Sequence, residues 1–156
     1  MKAFRRMETM GLKPNDHTYN YLMLSFAKNR DLEMVEKINQ EAIDKYKIFP
    51  SKHRYNNLLL CYAKMNKPID AEKVLREMKE NGVIPDVVTY TTLIDAYKRV
   101  NNFDKCWEIF RECRTSQENQ ADEMLLSFMV RLAGKTHEPE KALKIFSELE
   151  IDGFIE

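Results

Sequence analysis

A period of about 35 residues runs through this chain and constrains its fold more than any other feature. Tyr19, Tyr55 and Tyr90 stand 36 and 35 residues apart, and each opens a related segment: YNYLMLSFAK, YNNLLLCYAK and YTTLIDAYKR. Pro14, Pro50 and Pro85 keep the same step, while Gly11, Gly82 and Gly153 fall 71 residues apart, one long unit plus one normal unit. Such a chain is built from copies of one small unit, each of which buries its apolar face only against the next copy. The units start at Asp16, Lys52, Val87 and Asp122, with one extra residue near Tyr46 in the first and one near His137 in the last.

Each unit reads as two helices. Tyr55, Leu58, Leu59 and Tyr62 follow the i, i+3, i+4, i+7 stripe of an amphipathic helix. After a break at Asn66-Lys67, Pro68 opens the second helix, where a first-turn proline forfeits no hydrogen bond, and Gly82 supplies its stop. No alternating β pattern competes. The expected fold is an all-α superhelix of helical hairpins, with units at 16–51, 52–86 and 87–121 and a degenerate or incomplete unit at 122–156. Residues 1–15 match the second helix of a unit alone, so the chain is expected to start mid-repeat within a longer array.

Other classes are excluded by what the chain lacks. Its longest apolar run, Leu58 to Ala63, is far below the roughly 20 residues a membrane helix needs. Cys61, Cys106 and Cys113 form neither an even set nor a close metal-ligand pair, and read as small core residues. The first thirty residues are charged throughout, so no targeting segment is visible in them. Gly134-Lys135-Thr136 imitates the end of a phosphate loop, but Met129 stands where the first glycine is required and no strand precedes it. No nucleophile has an identifiable base partner, and no histidine-cysteine spacing suits zinc. Catalytic residues, cofactor, metal site and small-molecule substrate are therefore not expected.

The run Gly82-Val83-Ile84-Pro85-Asp86-Val87-Val88-Thr89-Tyr90-Thr91-Thr92-Leu93-Ile94-Asp95-Ala96-Tyr97 closely resembles the junction between units of the pentatricopeptide repeat family. Gly11-Leu12-Lys13-Pro14-Asn15 with Thr18-Tyr19-Asn20 resembles it again. A tetratricopeptide unit fits poorly, because its small eighth and twenty-seventh residues are Met23, Leu59, Ile94 and Ala42, Met78, Cys113 here. The resemblance implies a right-handed solenoid that binds single-stranded RNA in mitochondria, or alternatively chloroplasts, at about one base per unit. It also implies base readers at the fifth and last residues of each unit: Asn20 with Ser51, Asn56 with Asp86, and Thr91 with Ala121. By that pattern the pairs read a pyrimidine leaning to C, then U, then a weak purine preference, and Leu126 in the last unit reads nothing. The second residues His17, His53 and Val88 would flank and stack on the bases.

Elementary chemistry gives the pairs a rationale. Asn56 offers two donors and an acceptor, and ionised Asp86 only accepts, which suits a base presenting a ring N–H, as uracil and guanine do. Ser51 donates or accepts and discriminates less. The plainer alternative is that Asn20, Asn56 and Thr91 are merely good helix-start residues.

Charge adds a further sign. The chain holds 25 basic and 25 acidic residues, yet the first-helix segments carry 10 basic against 4 acidic residues and the second-helix segments 15 against 21. Lys28, Lys64 and Arg99 recur at the thirteenth position of three units and are the expected phosphate contacts; the fourth unit has Gly134 there. The competing expectation is a helical scaffold whose partners are other proteins of an organellar complex, such as a ribosome or transcription assembly.

Overall fold

The computed structural model describes residues 6, 9–116, 123–135, 140, 143, 144 and 147; most of the expected helix at 1–15, Ala121, and most of the chain after 135 lie outside them. Among the described residues there are seven helices and no strand. They are α1 (Asp16–Lys28), α2 (Leu32–Tyr46), α3 (Lys52–Lys64), α4 (Pro68–Glu80), α5 (Val87–Arg99), α6 (Phe103–Thr115) and α7 (Glu123–Lys135). No described helix is long and apolar enough to cross a membrane.

Capping chemistry sets the helix starts. Asn15 and Asp86 are the N-caps of α1 and α5, and each closes a reciprocal capping box with the threonine three residues on, Thr18 or Thr89. Asp31 and Asn102 cap α2 and α6 through their side chains, and Pro68 opens α4. The turns repeat as faithfully as the helices. Left-handed backbone occurs at Arg30, Asn66 and Asn101 between the two helices of a unit, and at Gly11, Lys47 and Gly82 between units. The extra residue of the first unit is absorbed in α2, which has 15 residues where α4 and α6 have 13, and its stop falls on Lys47 instead of glycine.

Packing makes these hairpins into an all-α repeat superhelix. The first helices form a continuous row, α1 on α3 and α3 on α5, while α2, α4 and α6 pack on the first helices of their own hairpins, and α2 and α4 pack also on the next first helix, α3 and α5. One second helix does not pack extensively on the next. A stack that is tight along one row and splayed along the other curves, so the first helices line the inner face. Tyr19, Tyr55 and Tyr90, and one turn later Met23, Leu59 and Ile94, are buried along this row. The three cysteines are buried too, and burial pushes the Cys106 and Cys113 thiols up to about 11.

Tyrosine–glutamate hydrogen bonds recur with the period. Tyr55 and Tyr90 donate to Glu77 and Glu112 inside their own hairpins, both at 3.3 Å, while Tyr62 and Tyr97 donate to Glu36 and Glu72 of the preceding unit. Burial first, and then the neighbouring glutamate, raises all four phenols above their ordinary range.

The second unit departs from its neighbours at one residue. Arg54 stands where Thr18 and Thr89 stand in the flanking units, and Ser51, at the N-cap of α3, makes no side-chain cap bond. The Arg54 side chain is 0% exposed; it donates to Ile48 O at 2.9 Å and to Asn39 Oδ1 at 2.6 Å, and lies 3.6 Å from Asp16 Oδ1. One guanidinium thus ties α1, α2 and the loop before α3 together.

Truncating it should be costly: Arg54→Ala is expected to lower stability by about 3 kcal/mol, because buried acceptors lose their donor. Arg54→Thr, which restores the capping box with Ser51, should recover about 1 kcal/mol of that in urea unfolding. The phenols predict an alkaline limit. Tyrosines raised in the folded state contribute stability that is full below the unfolded value of about 10 and is lost as pH climbs through the folded values. Urea midpoints measured between pH 8 and pH 11, with tyrosinate absorbance followed in parallel, should hold level and then fall at the alkaline end.

Candidate nucleic-acid interface

The most developed polar cluster on the inner face joins α3 to the cap of α5. Thr89, 0% exposed, donates its backbone N–H to Asp86 Oδ1 at 3.0 Å, and its hydroxyl stands 2.9 Å from that oxygen and 2.8 Å from Asn56 Oδ1. Asn56 Nδ2 donates to Asp86 Oδ1 at 3.4 Å, and Lys52 Nζ lies 3.6 Å from Asp86 Oδ2. Burial alone would raise the Asp86 carboxyl, but the Thr89 backbone and hydroxyl, the Asn56 amide and Lys52 outweigh it and hold Asp86 below its ordinary value. The carboxylate is therefore ionised at neutral pH and can only accept. Asn56 and Asp86, 30 residues apart in sequence, are held in one orientation before any ligand arrives.

This cluster opens into a groove of about 590 Å³ across α1, α3 and the start of α5. Asn20, Asn56 and Asp86 line it together with His17, His53 and Val88, and these last three are exposed. Six of the sequence-predicted residues thus meet on one surface, joined by Tyr21, which is 75% exposed, and by Thr92.

The other predicted pairs are built differently. Asn20 donates to Asp16 Oδ2 at 3.1 Å within its own helix, and no hydrogen bond joins it to Ser51. Asn20 Oδ1 and Ser51 Oγ are both buried without a hydrogen-bond partner. Thr91 does not line the groove, and its hydroxyl is donated to Val87 O at 2.7 Å. Its proposed partner Ala121 lies outside the described residues, and Leu126 is buried in the apolar core. The helix-start alternative also needs correcting. Asn20, Asn56 and Thr91 sit one turn inside their helices, and the N-cap positions belong to Asn15, Ser51 and Asp86.

Lys28, Lys64 and Arg99 are the last residues of α1, α3 and α5. A cation there complements the negative end of the helix dipole, so part of the recurrence has a structural cause. Lys64 Nζ donates to Lys28 O at 3.3 Å, and Arg99 is paired with Asp95 at 2.7 Å; Lys28 is exposed. Where the fourth unit has Gly134, Lys98, Arg131 and Lys135 instead surround Phe128 in a pocket of about 200 Å³, with Lys98 Nζ 4.6 Å above the ring.

Sequence reasoning missed Thr89 and Lys52. The recurrence of Thr18 and Thr89 at the third position was the available signal for the first, whereas Lys52 has no counterpart, since Asp16 and Val87 occupy its place in the flanking units. Among the described residues no group of three or more metal-ligating side chains occurs.

Comparison with known proteins follows the same lines. A model of the PPR repeat family matches residues 50–99, a PPR repeat model matches 88–117, and a pentatricopeptide repeat domain model matches 2–65. A mitochondrial pentatricopeptide repeat-containing protein of Arabidopsis thaliana is 30% identical over 96 residues, 62% of this chain and 24% of that protein. The mitochondrial 15S rRNA processing factor of Vanderwaltozyma polyspora is 29% identical over 86 residues, 54% of this chain and 10% of that protein. The chain thus spans about a quarter or less of the length of the curated relatives it matches. Among solved structures, the maize pentatricopeptide repeat protein PPR10 in complex with an 18-nt psaJ RNA element superimposes with a TM-score of 0.80 at 26% identity, over 96% of this chain and 22% of that one. The PPR domain of Arabidopsis thaliana protein-only RNase P 1, in complex with tRNA, shares the fold with a TM-score of 0.77 at 20% identity, over 99% and 80% of the two chains. The three family models together span residues 2–117, and the chain belongs to the pentatricopeptide repeat family.

Proposed function

We propose that this chain binds single-stranded RNA along its inner face, at about one base per unit, in the RNA metabolism of an organelle. The observation that carries this is the Asn56–Asp86–Thr89 cluster: an oriented donor and an ionised acceptor opening into a groove edged by His17 and His53. Imidazole rings stack on bases of any identity, while the amide and the carboxylate select among them. The RNA complex of the maize protein and the rRNA-processing role in the yeast relative's name support the same reading. Mitochondrial and chloroplastic relatives support an organellar site of action, with the mitochondrion the first choice. The activity proposed is binding, without catalysis or a cofactor.

Within this reading, Asn56 with Asp86 selects uracil, and Asn20 with Ser51 forms a less discriminating site. Lys28 supplies the least encumbered phosphate contact, and Lys64 and Arg99 join it by exchanging their present partners for phosphate. A protein scaffold is the second reading, favoured by the burial of Leu126, which removes the fourth unit's reader from the groove.

Fluorescence anisotropy with labelled 12-mer RNAs separates the two. A single central uracil in oligoadenosine should bind more tightly than the cytosine or adenine equivalents. Asn56→Thr should move the preference toward guanine, because the shorter side chain makes room for a purine while Asp86 still accepts its ring N–H. Base-independent binding would remove the selective reading, and absence of binding at low salt would leave the scaffold. The logarithm of the association constant should fall with the logarithm of salt concentration with a slope of about −2, from roughly −0.7 for each of the three phosphates.

A further inference from the structure

The row of first helices changes character at its last joint. One residue before the basic column, the first two units hold Ala27 and Ala63; in the next helix of the row, Cys61 and Ala96 stand at a second matching position, and all four are buried. At the third joint the same two positions hold cations, Lys98 on α5 and Arg131 on α7. Between these helices lies the pocket of about 200 Å³ lined by Lys98, Phe128, Arg131, Leu132 and Lys135. Phe128, Arg131 and Lys135 are spaced by three and four residues and so share one face of α7. Leu132 is buried and Phe128 half-buried, whereas Arg131 and Lys135 are exposed, which gives the pocket an apolar floor and a cationic rim. Lys98 Nζ is 4.6 Å above the Phe128 ring and 3.1 Å from Asp95 Oδ1. Asp95 also holds Arg99 at 2.7 Å, so one carboxylate serves two cations. Among the described residues, Arg131 and Lys135 have no carboxylate partner. Lys135 ends α7 as Lys28, Lys64 and Arg99 end α1, α3 and α5, which carries the basic column into the fourth unit one residue past Gly134. The helix dipole accounts for a cation at a helix end, but not for Arg131 a full turn earlier.

We propose that the cleft between α5 and α7 seats a phosphodiester of the bound RNA, with Arg131 and Lys135 donating from one helix and Lys98 from the other. The proposal rests on the RNA reading above and gives the fourth unit a contact with the RNA backbone, where the burial of Leu126 denies it a base. Phosphates recur once per nucleotide, and the cleft begins at Lys98, next to Arg99, so a strand that follows Lys28, Lys64 and Arg99 reaches it next. The planar fork of Arg131 meets two phosphate oxygens at once, and the two ammonium groups add point charges around them. The pocket is several times the roughly 30 Å³ of one water molecule, which leaves room for the two free oxygens of a phosphodiester. Three cations around one apolar floor repel one another; an anion between them is attracted from both helices and draws α7 toward α5. A phosphate carries no base identity, so this contact strengthens binding without changing which base the groove selects.

The test uses the whole chain, the double variant Arg131→Gln with Lys135→Gln, and the single variant Arg131→Lys, each checked for folding by thermal unfolding. Oligoadenosine 12-mers with a central uracil or cytosine are titrated at several salt concentrations. The double variant should bind both RNAs about tenfold more weakly at low salt with the uracil-to-cytosine ratio unchanged, the worth of one charge-assisted contact. Its salt slope should be shallower than that of the wild type by about 0.7, the share of one phosphate beyond the three of the column, which puts the wild type nearer about −3 than about −2. Arg131→Lys, which keeps the charge, should retain most of the affinity. Unchanged affinity and slope in the double variant, beside a wild type that binds, would overturn the inference and leave the RNA reading standing. So would a changed uracil-to-cytosine ratio at constant slope, since the pair would then act on base selection. An oligoglutamate of equal charge that binds the wild type as tightly as RNA, and loses the same factor in the double variant, would make the cleft the seat of an acidic protein partner and overturn the inference too. A wild type that binds neither RNA overturns the reading on which the inference stands.

Discussion

Everything in this structure hangs on the burial of one first helix against the next. A hairpin of two 13-residue helices offers its first helix as an apolar stripe that its own partner covers only in part. Tyr19, Met23 and Ala27 on α1, and Tyr55 and Leu59 on α3, lose their remaining exposure because α3 sits on α1 and α5 on α3. The spacing between successive fifth residues follows from this packing and not from any contact between the readers themselves. The Tyr62–Glu36 and Tyr97–Glu72 hydrogen bonds also run from one hairpin to the one before it, so the polar and apolar parts of the stack agree about where each hairpin sits.

Against this regular frame the groove is irregular, and the irregularity has a physical origin in single residues. Where threonine occupies the third position of the following unit, as Thr89 does, the last residue of one unit is locked to the fifth residue of that same unit. Where arginine occupies it, as Arg54 does, the side chain turns into the core, and Ser51 and Asn20 are left with unsatisfied oxygens. The two sites share a backbone geometry and differ in preorganisation. A site whose groups are already oriented loses less freedom on binding, so the second unit is the better built of the two.

Much of this was legible in the amino acids. The tyrosine and proline periods gave the helix pairs, Pro68 and Gly82 marked one second helix correctly, and the extra residue near Tyr46 reappears as a longer α2. The left-handed turns at Arg30, Asn66 and Asn101 were not legible, because arginine and asparagine do not announce that conformation as glycine does. Nor was the placement of the reader pairs. The rule for helix starts points to polar residues near a helix beginning, but only coordinates show that Asp86 is the cap and that Asn56 lies a full turn inside α3. Lys52 and Arg54 stand two residues apart in one basic segment, yet one pairs with the Asp86 carboxylate and the other enters the interior.

The double duty of Asp86 has an evolutionary consequence. Its carboxylate begins a helix and lines the groove at once, so on the proposed reading the choice of amino acid at that place is made twice, by folding and by recognition. Only a short list of side chains starts a helix well: aspartate, asparagine, serine and threonine. A solenoid assembled on this plan can drift among those four with little loss of foldedness, and each exchange alters what the groove prefers. On the proposed reading, retargeting to a new RNA is then a walk through a small alphabet that the backbone already tolerates.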